Sequence, residues 1–152
     1  MSANVQEVRI PVQLGFKPLR EDFGVYRLED GCVIEARVIL ADVHMVGEDA
    51  VGPQLAYSAI AAMRFIVPDD IRKKVIDKPL ATSVDVKDPG WRHVKVLEFN
   101  PAYSEYILDN KWLMKLRLEI LGVAKNENYR NELMMPLYVV RWTTIAFIER
   151  QH

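Results

Sequence analysis

A mainly β domain is the fold class this sequence predicts, with α+β as the alternative. It reads as internally duplicated antiparallel hairpin units forming a small barrel or sandwich, with one or two short helices. Three observations predict it. The runs Ile34–Leu40 and Met114–Ile120 alternate apolar and polar residues with period two, as half-buried strands do. Turn residues, Glu29-Asp30-Gly31 and Asp109-Asn110, stand directly before both runs. Finally, Phe23–Val43 is echoed by Tyr103–Val123: 106 minus 26 is 80, and that spacing sets Tyr26, Leu28, Arg37 and Val43 against Tyr106, Leu108, Arg117 and Val123.

Taken in order, residues 1–22 mix aliphatic residues with Pro11, Gly15 and Pro18. They read as a short strand around Val8–Leu14 followed by a turn, placed to cover a sheet edge. In the first repeat Ile34, Ala36, Val38 and Leu40 share one face. In the second Met114, Leu116, Leu118 and Ile120 do so, with Lys115, Arg117 and Glu119 opposite. Arg37 and Arg117 therefore fall on the polar face, as solvated cross-strand charge partners.

A polar connector and a second apolar segment follow each run, giving two long hairpins. The segments from Leu55 and from Leu137 align Tyr57 with Tyr138 after one inserted residue. Val139, Val140, Thr143, Thr144 and Ile145 make the later one a strand. The earlier is ambiguous, because Pro53 and the alanines that follow also suit a helix, and the repeat decides for strand. Between the halves, Pro68-Asp69-Asp70 with Ile71, Val75 and Ile76 reads as a short helix stopped by Pro79, and His93–Phe99 as one more strand. The chain is read as a single domain over 1–152, with the repeat spanning 23–67 and 103–148.

The 152 residues are 50% hydrophobic, enough for one core, and the 20 basic and 21 acidic side chains give a net charge of −1. That balance argues against nucleic acid or an anionic membrane as a partner. A basic and aromatic group of Trp91, Arg92, His93, Lys95, Tyr129 and Arg130 is the one feature that would suit a single strand. The lone Cys32, the absence of a signal-like start and the absence of a membrane-length apolar run fit a soluble cytoplasmic protein.

Chemistry-bearing residues are sparse. Asp42 and His44, two apart on one strand face with Glu48 and Asp49 beyond, are the catalytic candidates, since a carboxylate can orient an imidazole; their ordinary reading is a surface pair. His93 and the terminal His152 add no metal-ligand spacing, and no metal or other cofactor is expected. Cys32 reads as a buried, inert thiol. No glycine-rich phosphate loop or serine elbow is present. The aromatic residues Trp91, Trp112, Trp142, Tyr103, Tyr106 and Tyr138 are candidates for lining a pocket.

The functional expectation is a non-catalytic structural or assembly protein acting through β surfaces, as a homo-oligomer or a small subunit of a larger complex. The alternatives are a small barrel that binds an apolar or aromatic molecule, and an enzyme using Asp42 and His44. Self-association follows from Leu55–Val67 and Leu137–Ile148, which are apolar on both parities.

Overall fold

The computed structural model describes residues 6–151, so His152 and residues 1–5 lie outside it. Ten strands and one helix follow in the order β1 (Gln6–Gln13), β2 (Phe16–Asp22), β3 (Gly24–Leu28), β4 (Val33–Glu48), β5 (Pro53–Ile66), α1 (Asp69–Val75), β6 (Trp91–His93), β7 (Val96–Asn100), β8 (Tyr103–Leu108), β9 (Trp112–Asn126) and β10 (Leu137–Arg150). They form two antiparallel five-stranded sheets that pack face to face as a sandwich; the barrel closure that the sequence left open does not occur. The segment Leu55–Val67, ambiguous in sequence, is strand as far as Ile66, where β5 ends, and the Asp69–Val75 helix begins where its acidic first turn places it.

Each sheet is built on one long strand. In the first, β5 runs along one edge of β4, while β3 and β1 divide the other edge between them. In the second, β10 runs along β9, while β8 and β6 divide its other edge. The outermost strands are exchanged: β7 completes the first sheet beside β3, and β2 completes the second beside β8. This corrects two readings. Residues 16–22 form a strand in their own right, and His93–Phe99 is two strands, because the chain leaves one sheet after His93 and joins the other at Val96.

The hydrogen bonds recur at the spacing of eighty. Leu14 N donates to Val43 O at 3.0 Å and Val94 N to Val123 O at 2.9 Å. Glu29 N donates to Lys95 O and Asp109 N to Gly15 O, both at 2.9 Å. The reciprocal bonds, Gly15 N to Asp109 Oδ1 and Lys95 N to Glu29 Oε1, are 2.8 and 3.1 Å. The ladder of β4 with β5 skips Ala41 and that of β9 with β10 skips Leu121, two bulged residues at the same spacing. Beyond the bulges, however, Leu55 opposes Met45 and Tyr138 opposes Lys125, so Tyr138 takes the place of Leu55 and not that of Tyr57. The longer connection between Glu127 and Pro136 absorbs the additional residues.

The predicted alternation buries the inner faces: Ile34, Ala36, Val38, Leu40, Met114, Leu116 and Leu118 are core residues, while Ile120 is half-buried. A bulge adds one residue and turns the following side chains to the other side. Inward positions therefore pass from Leu40 to Val43 and from Leu118 to Val123 and Lys125.

Two buried tyrosines bolt the sheets together. Tyr26 donates its hydroxyl hydrogen to Leu118 O at 2.8 Å and accepts from Ala102 N at 3.0 Å. Tyr106 accepts from Leu40 N at 2.9 Å and donates to Glu21 Oε2 at 2.6 Å; burial first, and then the Glu21 bond, push its hydroxyl up to about 12. Because Tyr26→Phe strands a buried N–H and a carbonyl, it is expected to cost about 1–3 kcal/mol in denaturant unfolding. An unchanged midpoint would show that water replaces the bolt.

Candidate functional site

A cleft of about 680 Å³ is walled by Phe65 at the end of β5, Leu80, Trp91, Leu133, Tyr138 and Val139. Two connections shape its rim. Ala81 N donates to Arg130 O and Arg130 N to Pro79 O, which ties the segment after α1 to the connection between β9 and β10. Asn131 Oδ1 accepts from Leu133 N and Met135 N and folds that connection back on itself, with Met134 at a φ of 58°. The Trp91 indole is fixed by its Nε1 bond to Asp85 O, and Phe65 stacks on Tyr138 at 4.9 Å between centroids.

Behind the Tyr138 ring lies the most unusual chemistry of the molecule. Lys125, carried inward by the bulge, has a side chain 4% exposed and pairs with Asp30 at 2.9 Å. Tyr138 donates to the same Asp30 oxygen, and Cys32 N donates to the other, both at 2.9 Å. Burial alone would raise the Asp30 carboxyl, but the bonds from Lys125, Cys32 N and Tyr138 outweigh it and hold the group below its ordinary value. Burial pushes the Cys32 thiol and the Tyr138 phenol up, so both stay neutral. Lys125 and Tyr138 are bonded to Asp30, and the cleft presents a largely apolar, aromatic wall in which Glu132 is the one charged lining residue.

Of the six aromatic candidates only Trp91 and Tyr138 reach the cleft. Tyr106 is buried between the sheets, where Trp142 packs half-buried. Trp112 lies against Gly52 with the Arg150 guanidinium over its ring, and Tyr103 sits under Arg20. The Lys125–Asp30 pair escaped sequence reasoning, because both residues look like turn and connector residues. The available signal was the parity change at Leu121, which requires recognising the bulge.

Asp42 and His44 turn outward beyond Ala41. His44 Nδ1 is 3.6 Å from Asp42 Oδ2, with side chains 34% and 44% exposed, and the other Asp42 oxygen accepts from Val43 N. Arg37 meets Glu21 at 3.1 Å and Arg117 meets Glu119 at 2.8 Å. Among the described residues no three His, Cys, Asp or Glu side chains are grouped to hold a metal ion. No helix among them is long and apolar enough to cross a membrane.

The sheet edges differ sharply. On the outer edges, β2 carries Lys17, Pro18, Arg20, Glu21 and Asp22 with Leu19 bulged, and β7 is five residues long with Leu97 bulged and Glu98. These are the usual guards of an exposed edge. By contrast β5 has 14 residues with Arg64 as its single charge, and β10 has 14 with Arg141 alone before Glu149. Among the described residues neither free edge meets another strand. Their inner faces are half-buried against the core, so the opposite sheet supplies the covering layer that the sequence did not provide for. Ile60, Ile66, Val139 and Phe147 remain exposed on the outer faces. No protein-family model, curated protein or solved structure matches the chain.

Proposed function

We propose that this chain is a non-catalytic assembly protein that works through its β surfaces, as a homo-oligomer or as a small subunit of a larger complex. One observation carries the reading: two 14-residue edge strands lack the guards that the β2 and β7 edges of the same molecule possess. A long, flat, apolar edge is a template for strand pairing, and solution monomers normally block it. The proposal includes an origin by internal duplication of 23–67 and 103–148, with an approximate twofold between the halves. Supporting it are the paired hydrogen bonds and bulges at a spacing of eighty, several of which exchange donor and acceptor between halves. A reducing cytoplasmic compartment suits the single free Cys32.

Native mass spectrometry of protein purified from its own source tests this reading. The expected spectrum contains multiples of 17.5 kDa or a stable complex with other chains. A bare 17.5 kDa species at micromolar concentration contradicts it.

The cleft favours a second reading, that the protein holds a small apolar or aromatic molecule between Trp91 and Tyr138. The same spectrum checks it, since a retained ligand would add mass that denaturation removes.

A further inference from the structure

We infer that the occupant of the β5 and β10 edges is a second copy of this chain, which adds strands to both sheets at once. The inference rests on the assembly reading and names its surface and partner.

The two free edges are held side by side. Tyr57 of β5 bonds Thr144 of β10 through their hydroxyls at 2.7 Å, and Phe65 stacks on Tyr138. A partner therefore meets two backbone rows of equal length at one fixed separation, both unpaired among the described residues. A peptide adding a single strand satisfies one row and leaves the other exposed. A partner presenting a helix satisfies neither, because its backbone groups are already used within itself. A second copy presents two rows of the same length at the same separation, and a twofold between copies pairs both. Charge opposes this little, since the ten residues from Gln54 to Met63 contain none. The β2 and β7 edges are guarded against such contacts, whereas these two long edges are not.

The test uses sedimentation equilibrium of the full chain with Ile60→Lys and Thr143→Lys combined. Ile60 is 57% exposed and opposes Ile39, while Thr143 is exposed and opposes Glu119, so neither lysine faces a like charge within the fold. Lysine restores an edge guard. The expected result is a dimer for the natural chain, a dissociation constant raised at least about tenfold in the double variant, and no change for Leu97→Lys on the guarded β7 edge. Amide hydrogen exchange of the natural chain is read alongside, so the test does not depend on the variant's stability. Protection over 54–65 and 138–148 should increase with protein concentration. A dimer that survives the lysines, with those amides exchanging independently of concentration, overturns this inference and leaves the assembly reading standing with another surface. A natural chain that stays monomeric also overturns it, and a hetero-complex in the native spectrum would then preserve the broader reading alone.

Discussion

Replacing Asp30 by Ala is expected to cost about 3–5 kcal/mol of folding stability, the usual consequence of leaving a buried charge without its partner. Lys125 is 4% exposed in its side chain, and its other acidic neighbour, Glu127, is 3.8 Å away and already engaged by Arg92. The same change removes the acceptors of Tyr138 and of Cys32 N. Asp30→Asn separates the contributions, because it keeps an acceptor while deleting the charge, so its loss should be smaller. The pH dependence has a definite sign. Asp30 is held below its ordinary value in the fold, so its stabilisation is fully present above the unfolded carboxylate range, near about 3.9, and declines as pH falls through the folded value. The difference between natural and Asp30→Ala proteins should therefore shrink on acidification. A cost below about 1 kcal/mol at neutral pH would mean that water reaches Lys125 and the pair is a surface one.

Much of this architecture is written in local pattern. Ile34–Leu40 and Met114–Ile120 announce their strands because one face of each packs on the core and the other meets solvent, which is the condition that produces alternation. β5 is less legible since alanine and aliphatic residues occupy both parities. β2 was missed for the opposite reason. Pro18 and its charges argue against a strand, yet they suit an outer edge, where a missing N–H costs nothing. No short-range signal encodes the exchange of β2 and β7 between sheets. Their partners β8 and β3 lie in the other half of the chain, and the change of sheet occurs in short breaks such as Val94-Lys95. The cleft is less visible still: its walls come from the connections around Leu80 and Leu133, which follow no period, and from residues of three different strands, among them Tyr138, which the three-residue difference between hairpins displaces.

Gly24→Val is expected to be the most damaging single substitution in the first β3 hairpin. A Cβ at residue 24 would lie 2.0 Å from Ala102 N and 2.5 Å from Pro101 C, both backbone atoms, so no side-chain rotation can relieve the clash. The contact is where the two halves cross. β3 passes beneath the segment joining β7 to β8, and the Ala102 amide there donates to Tyr26, while Ala102 O accepts from Leu118 N at 3.0 Å. Pushing that segment away would lengthen both bonds and open the completely buried site of Ala102. Overpacking with side-chain relief costs about 1–3 kcal/mol; with backbone on both sides and two buried hydrogen bonds at stake, the loss should exceed that range. Gly122→Ala supplies the contrast, because a Cβ there meets nothing within 4 Å and its φ is not in the left-handed region. Comparing the two by thermal and denaturant unfolding gives the decisive measurement. If Gly24→Val unfolds at the same midpoint as Gly122→Ala, β3 is not in close backbone contact with the segment joining β7 to β8.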